Sequence, residues 1–178
     1  MAHFEKELER QEVYRGCIFT LTSHRVGLEN GGESHRDIVN HHGGACVAAL
    51  DEEGRVLLVR QYRFGVKEEL LELPAGKLEE GEDPAATAAR ELEEETGYTA
   101  ASLTKLTELL PTPAYCTERI YLYQAHGLTK GEQRLDRDEF LDVVALPLAE
   151  ALEMVLAGKV PDAKTQAGIL LLARQQGI

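Results

Sequence analysis

The stretch from Gly76 to Tyr98 constrains the fold of this chain more than any other part of the sequence. It reads GKLEEGEDPAATAARELEEETGY, a short glycine-bounded loop followed by a run rich in alanine and glutamate. Asp83 is a favourable N-cap residue, and Pro84 already has the backbone angle of a first helical turn. Gly97 suits the left-handed residue that commonly ends a helix. The sequence therefore predicts a helix between Asp83 and Gly97.

Two faces of this helix differ in chemistry. At about 100° per residue, small and apolar side chains share one face, which predicts close packing on a sheet. They are Ala85, Ala88, Ala89 and Leu92. Glu91, Glu94 and Glu95 share another arc, where like charges four residues apart destabilise an isolated helix by about 0.2–0.5 kcal/mol. Arg90 offsets part of this repulsion, and a hard divalent cation would offset more. A solvated acidic surface helix is the alternative interpretation.

Composition and charge narrow the classes of function. The chain has 178 residues, of which 43% are hydrophobic, enough for one globular body with a core. Its formal net charge of -12 disfavours nonspecific binding to nucleic acid or to an anionic membrane. An acidic protein of this kind can hold a phosphate-bearing ligand only through local arginines and lysines or bound cations.

The N-terminus and the cysteines indicate a cytoplasmic protein. The first residues are charged and lack the apolar run of a signal peptide, and no segment approaches the ~18 apolar residues of a membrane span. Cys17, Cys46 and Cys116 are widely spaced and form no CxxC pair. We therefore predict buried free thiols in a reducing compartment and no zinc site.

The rest of the chain interleaves strand and helix patterns. Residues 1–11 read as helical or irregular. A strand at Glu12–Val26 is joined through a turn at Glu29-Asn30-Gly31-Gly32 to a return strand at Ser34–His41. Later strands are predicted at Gly44–Leu50, Arg55–Tyr62, Glu69–Leu73, Ala101–Leu110, Arg119–Ala125 and Glu139–Leu146. Helices are predicted at Leu148–Ala157 and after Asp162. This order favours helices on both faces of a mixed sheet.

The acidic stretch also matches a known family at fixed spacing. The matching residues are Gly76, Glu82, Arg90, Glu91, Leu92, Glu94, Glu95, Gly97 and Tyr98. In this spacing the chain resembles the Nudix box without a departure. The resemblance implies the Nudix fold, an α/β/α sandwich with a mixed β-sheet, to which the chain would add a small N-terminal antiparallel sheet. It also implies Mg²⁺-dependent hydrolysis of a nucleoside diphosphate linked to another group.

Outside the box the chain resembles bacterial ADP-ribose pyrophosphatases. The segments that carry this likeness are Arg36–Val39, Leu58–Arg63, Leu71–Gly76, Pro113 with Glu118, Asp138–Phe140 and Asp162–Thr165. Pro113 lies sixteen residues after Gly97, a spacing that separates these enzymes from dinucleoside polyphosphate and nucleoside triphosphate hydrolases. The implied reaction is hydrolysis of ADP-ribose to AMP and ribose 5-phosphate. The alternatives are a pyrophosphatase for a GDP- or UDP-sugar, and a non-catalytic ADP-ribose sensor, which would carry a broken box and a DNA-binding appendage.

Site residues follow from the resemblance by position. The implied metal ligands are the carbonyl of Ala75 and the carboxylates of Glu91, Glu94, Glu95 and Glu139, holding about two or three Mg²⁺ ions for which Mn²⁺ could substitute. The implied catalytic residues are Glu139, Glu94 and Arg90, with Glu139 as the preferred base and Arg90 holding the glutamates in place. The implied substrate-binding residues are Arg36, Arg63, Pro113 and Glu118.

Two positions depart from the pattern of the resembling enzymes. Ala114 stands where glycine commonly follows the proline, which affects the shape of the substrate loop. Arg137 stands where an acidic residue often precedes Asp138-Glu139, which leaves fewer carboxylates to serve as base.

The N-terminal residues bear on assembly. Residues 1–42 form a predicted β segment with too little core to be stable alone, ahead of a Nudix hydrolase domain at residues 43–178. The resembling enzymes form dimers in which the N-terminal segment crosses to the partner. We therefore expect a homodimer that acts on a small-molecule nucleoside diphosphate sugar, with no nucleic-acid or membrane partner.

Overall fold

The structure, a computed structural model, describes residues 3–178. These residues form two compact units, and the smaller one combines residues 3–43 with Leu110–Arg119. The larger unit consists of Gly44–Leu109 and Ile120–Ile178. The segment Leu110–Arg119 lies within the predicted Nudix domain at residues 43–178, but it makes its contacts mainly with the N-terminal residues.

The smaller unit contains a three-stranded antiparallel sheet in the order β1-β2-β3. Its strands are β1 (Lys6–Arg15), β2 (Phe19–Gly27) and β3 (Glu33–His41). The hairpin predicted around the turn at residues 29–32 is confirmed, since Gly27 pairs with Glu33. Of the start predicted as helical or irregular, residues 1–2 lie outside the described residues and residues 3–5 are irregular. The prediction was wrong for residues 6–11, which belong to β1 and pair with β2 although every residue of β1 is exposed. The strand predicted at Glu12–Val26 is interrupted after Arg15, and Gly16 N–H donates to Phe19 O at 3.0 Å.

The larger unit contains seven strands and three helices. They are β4 (Gly44–Ala49), β5 (Arg55–Arg63), β6 (Glu68–Glu72), β7 (Ala75–Lys77), α1 (Pro84–Thr96), β8 (Tyr98–Leu109), β9 (Ile120–Lys130), β10 (Leu141–Pro147), α2 (Leu148–Leu156) and α3 (Ala163–Gln176). One sheet has the order β7-β4-β9-β8 and is mixed, because β4 and β9 run parallel. The other, β10-β5-β6, is antiparallel. The last strand begins two residues after Glu139, which leaves that residue in a loop.

Strand β4 places its alternate residues in two different cores. Ala45 and Val47 belong to a cluster with Ala88 and Leu92 of α1. Cys46 packs in a second cluster, whose other members include Ala151 and Val155 of α2 and Ile169 and Leu172 of α3. Helices therefore cover both faces, as the sequence predicted. Residues 56–59 of β5 are at most 1% exposed, which confirms a strand buried on both sides.

Helix α1 begins and ends where its capping residues predict. Asp83 accepts a hydrogen bond from Ala85 N–H at 3.4 Å, and Gly97 has φ 74° with its N–H donating to Glu93 O. The predicted buried face was partly wrong, because Ala89 is exposed and Thr87 is buried. The helix is rotated so that two glutamates, rather than Ala89, face inward.

The burial of the cysteines and the character of the helices relate to the predicted cytoplasmic location. Cys46 is buried as predicted, whereas Cys17 is exposed and Cys116 is half-buried, so burial of all three thiols was wrong. All three are free thiols. Within residues 3–178, none of the helices has the length and apolar character needed to cross a membrane. A cytoplasmic location stays a prediction.

Candidate metal centre

Glu91 and Glu95 bring two carboxylates into the interior of the larger unit. They lie one helical turn apart on α1, and the residues are 8% and 3% exposed. Burial raises the pKa of Glu95 to about 8, because it disfavours the charged form, and the negative charge of Glu91 adds to the shift. Burial likewise raises the pKa of Glu91. Two acids are thus held close together with little solvent to stabilise their charges.

Arg90 joins the carboxylates of the same helix. Its Nη1 donates to Glu91 Oε1 and to Glu94 Oε2, both at 2.8 Å, and its Nε lies 3.4 Å from Glu82 Oε1. Glu82 Oε2 in turn accepts from Glu79 N–H at 3.0 Å, within the loop that precedes α1. The side chain of Glu94 is 39% exposed, unlike its two buried neighbours. Arg90 thus links the carboxylates of Glu91 and Glu94. Its role in orienting the glutamates for catalysis stays a prediction.

Strand β7 brings backbone atoms to both buried carboxylates. Ala75 N–H donates to Glu95 Oε2 at 2.9 Å. The carboxylate of Glu91 occupies the space beside Gly76 where a Cβ would lie, since Oε1 would be only 1.8 Å from such an atom. Only glycine therefore leaves room for the carboxylate of Glu91 at this position. The Ala75 carbonyl belongs to the same segment, which is fixed on its other side by pairing of Ala75 with Cys46.

These residues suit a hard divalent cation that keeps part of its own coordination shell. Among residues 3–178, no three His, Cys, Asp or Glu side chains stand close enough together to hold an ion unaided. Mg²⁺ commonly uses one or two protein carboxylates and completes its shell with water and substrate phosphate. Glu91 and Glu95 supply such carboxylates. Burial is the main cause of their raised pKa values, with repulsion from nearby glutamates adding to it, and a bound cation would stabilise the charged form of both groups.

The connection after β9 fastens a loop to the end of α1. Gly131 N–H donates to Gly97 O at 2.6 Å, and Arg134 N–H donates to Glu94 O at 2.9 Å. The side-chain amide of Gln133 donates to Glu95 O at 2.6 Å. These bonds satisfy carbonyls that a helix C-terminus leaves without partners. Sequence reasoning missed Gln133, because nothing local marks an amide that bonds a carbonyl 38 residues away.

Glu139 lies further along this loop and is half-buried. Its Oε2 accepts from Asp136 N–H at 3.2 Å, and its backbone N–H donates to Asp136 O at 3.0 Å. The charge of Glu139 contributes to the raised pKa values of Glu91 and Glu95. Besides Glu94, the loop therefore brings another carboxylate into the electrostatic environment of the buried pair.

Arg63, at the end of β5, is held by Glu72, a carboxylate that is not among the predicted site residues. Its Nε and Nη2 donate to the two oxygens of Glu72 at 2.6 and 2.8 Å. Lys164 also bonds Glu72, which is 1% exposed. The sequence signal was present, because Glu72 and Lys164 lie in the Leu71–Gly76 and Asp162–Thr165 segments. Their pairing was not visible there, since the two residues are 92 positions apart.

The predicted substrate residues Arg36, Pro113 and Glu118 belong to the smaller unit. Arg36 Nε donates to Glu5 Oε2 at 3.1 Å, and the Glu118 carboxylate is 3.7 Å from His41 Nδ1. Pro113 is exposed. The residues predicted to bind metal, Ala75, Glu91, Glu94 and Glu95, lie in the larger unit together with Arg90.

The metal-free protein should become less stable between about pH 4.5 and pH 8. Glu95 has a folded pKa of about 8 against an ordinary 4.5, so in this window the folded state keeps a proton that the unfolded chain has lost. The free energy of unfolding should then fall by up to about 1.4 kcal/mol per pH unit for this group. Denaturant unfolding in chelator at pH 5.5, 6.5 and 7.5 measures the slope. In Glu95→Gln the slope of the unfolding free energy against pH should flatten. An unchanged slope would contradict a raised pKa for Glu95.

Comparisons with known proteins place these features in a family. The model of the NUDIX domain matches residues 40–168. An ADP-ribose pyrophosphatase from Bacillus subtilis (strain 168) is 40% identical over 176 residues, covering 98% of this chain and 95% of the relative. A methanol dehydrogenase activator from Bacillus methanolicus has the same identity and coverage. A crystal structure of an ADP compounds hydrolase superposes with a TM-score of 0.84 at 24% identity, covering 97% of this chain and 96% of that one, which shows a shared fold.

Proposed function

Since the chain belongs to the Nudix family of hydrolases, we propose that it cleaves the diphosphate of ADP-ribose to AMP and ribose 5-phosphate with Mg²⁺ as cofactor. The observation that carries the proposal is the convergence of Glu91 and Glu95 on the Ala75–Gly76 segment. The choice of ADP-ribose is supported by the 40% identity to an ADP-ribose pyrophosphatase across almost the whole chain.

Each residue has a defined task in this proposal. Glu91, Glu94, Glu95 and the Ala75 carbonyl would hold the cations. Bound Mg²⁺ neutralises charge on the diphosphate and lowers the pKa of water. Glu139 takes the proton of the attacking water as the new bond from oxygen to phosphorus forms and the bridging P–O bond breaks. The departing phosphate oxygen keeps the electron pair of that bond.

A substrate panel tests the proposal. Purified protein is offered ADP-ribose, a GDP-sugar and a UDP-sugar with Mg²⁺ and with chelator, in ¹⁸O-labelled water. We expect metal-dependent release of AMP and ribose 5-phosphate, with the label in the product whose phosphorus was attacked. Faster cleavage of a GDP- or UDP-sugar would replace ADP-ribose as the substrate. Binding of ADP-ribose without release of AMP would contradict hydrolysis and favour a sensor.

The substrate panel is needed because two relatives with different activities in their names are equally similar to this chain. The pyrophosphatase and the methanol dehydrogenase activator are each 40% identical to this chain over 176 residues, so overall identity does not separate their activities. The box residues set the metal and the type of reaction. Substrate choice depends on residues outside the box, and the contacts predicted for Arg36, Pro113 and Glu118 stay predictions.

We expect the protein to be a homodimer formed through its N-terminal sheet. Large apolar side chains on this sheet are exposed in the single chain, with Val13 57%, Tyr14 55% and Phe19 40% exposed. Association would remove such surface from water. Multi-angle light scattering should give twice the mass of one chain, and Val13→Glu should shift the mass toward one chain. A fully active monomer would contradict the expectation.

A further inference from the structure

Glu72 carries a buried carboxylate at the end of β6, three residues before Ala75. It accepts a bidentate pair of hydrogen bonds from Arg63, at 2.6 and 2.8 Å, and a further bond from Lys164. Lys164 also donates to Asp162 Oδ1 at 3.0 Å. Side chains from the ends of β5 and β6 and from the start of α3 thus form one charged cluster.

The same cluster fixes the backbone that leads to the metal centre. Asp162 Oδ2 accepts from Thr165 N–H at 3.0 Å and from Thr165 Oγ1 at 2.6 Å. Thr165 Oγ1 accepts from Leu73 N–H at 2.8 Å, directly after Glu72. Two residues further on, Ala75 N–H donates to Glu95. The segment from Glu72 to Ala75 is therefore held at one end by α3 and at the other by α1.

A buried ion pair is, by itself, weak evidence that the pair stabilises the fold. Apolar residues of similar volume commonly stabilise a core as well or better. The geometry at Arg63 indicates another use. A guanidinium has five N–H groups, and the bidentate contact with Glu72 engages two of them. The side chain of Arg63 is nevertheless 42% exposed. Glu72 thus fixes the plane of the guanidinium while part of it remains accessible to a ligand.

We propose that Glu72, supported by Lys164, is a positioning residue that orients Arg63 to bind the diphosphate of the substrate. The proposal rests on the proposed function, because it takes the diphosphate as the ligand. Planar, two-point contacts are what distinguish arginine from lysine in phosphate binding, and they require a guanidinium of fixed orientation. Glu72 supplies that orientation, and Lys164 supplies a second positive charge that keeps the buried Glu72 ionised.

The test is a double-mutant cycle on KM. Glu72→Gln keeps the size of the side chain but removes the second acceptor, so Arg63 loses its bidentate contact. We expect KM for ADP-ribose to rise about tenfold and kcat to change by less than about threefold. Arg63→Lys should raise KM similarly. If Glu72 acts through Arg63, adding Glu72→Gln to Arg63→Lys raises KM no further. Additive effects of the two substitutions would overturn the proposal.

The chain offers a matched control in Asp51 and Arg55. Asp51 Oδ2 accepts a hydrogen bond from Arg55 Nε at 2.8 Å and lies 2.8 Å from Arg55 Nη2, and the side chain of Asp51 is 8% exposed. Asp51→Asn should leave KM within about twofold of the native value, whatever it does to thermal stability. A rise in KM equal to that of Glu72→Gln would show a general effect of breaking an ion pair and would overturn the proposal.

A replacement variant and a binding measurement allow the positioning role to be tested even if Glu72→Gln does not fold or the protein shows no turnover. If Glu72→Gln does not fold, Lys164→Met replaces it in the cycle, and its smaller rise in KM should likewise vanish in the Arg63→Lys background. Calorimetric binding of ADP with Mg²⁺ repeats the cycle without turnover. If the native protein cleaves no nucleoside diphosphate sugar, the proposed function fails, while a non-additive cycle in ADP affinity still supports the positioning role. Additivity in both KM and ADP affinity refutes the role.

Discussion

Glu95→Gln should lower kcat for diphosphate hydrolysis by about 10²–10³-fold at saturating Mg²⁺, because a metal ligand stabilises the transition state by several kcal/mol. The fold should survive the change. Glu95 is buried with a pKa raised to about 8, so at neutral pH its metal-free side chain carries a proton and resembles glutamine in charge and size. Glutamine can also accept the hydrogen bond from Ala75 N–H. Steady-state kinetics measures the loss of turnover, and thermal unfolding shows whether the variant keeps its fold.

A neighbour on the same helix provides the control for this substitution. The carboxylate of Glu93 lies 3.9 Å from Arg134, a weak surface contact, and its side chain is 44% exposed. Glu93→Gln should therefore leave kcat within about twofold of the native value. Glu91→Gln should behave like Glu95→Gln, since both carboxylates are buried beside β7. Near-native turnover by either of these two variants would show that the metal site lies elsewhere.

Local chemistry was sufficient to predict α1, whose ends depend on neighbouring residues. Asp83 and Gly97 act within a few positions of themselves, through a side-chain cap and a left-handed backbone. Residues 6–11 of strand β1 were missed for the opposite reason. The strand has no apolar alternation, because all its residues are exposed, and it depends on pairing with β2. An exposed strand leaves little signal in its own sequence.

The buried face of α1 was misjudged because hydrophobicity alone ranks alanine above glutamate for burial. The structure buries Glu91 and Glu95 and exposes Ala89. Charged groups buried at a cost in free energy are typical of functional sites, where local rules of stability give way to chemistry. The box spacing marked these glutamates as ligands without revealing that they face inward.

Partners far apart in sequence were beyond reach of any local pattern. The contacts of Glu72 with Lys164 and of Gln133 with Glu95 depend on how strands and helices are brought together. The spacing of the Nudix box likewise requires a glycine at position 76, but the sequence does not show why. The reason is the carboxylate of Glu91, which fills the space a side chain would need.

Gly76→Ala should abolish most activity while leaving the fold intact. The added Cβ would lie 1.8 Å from Glu91 Oε1, so the carboxylate must move away. Those atoms are the end of a flexible side chain, and β7 keeps its pairing with β4, so we expect only a small change in unfolding temperature. Glu91 would lose its place beside Ala75 and Glu95, and kcat/KM should fall at least about a hundredfold. Calorimetry with Mn²⁺ should show weaker metal binding.

Gly65→Ala is the matched control for this substitution. A Cβ at Gly65 would have no heavy atom within 4 Å, and Gly65 has no positive φ, so the variant adds the same methyl group without displacing anything. The double variant Gly76→Ala/Glu91→Gln should be no worse than the more impaired single variant, since both changes remove the same ligand. Full activity in Gly76→Ala would contradict a role for Glu91 at this position. A large loss in Gly65→Ala would instead show that the effect of an added methyl group is not specific to the displacement of Glu91.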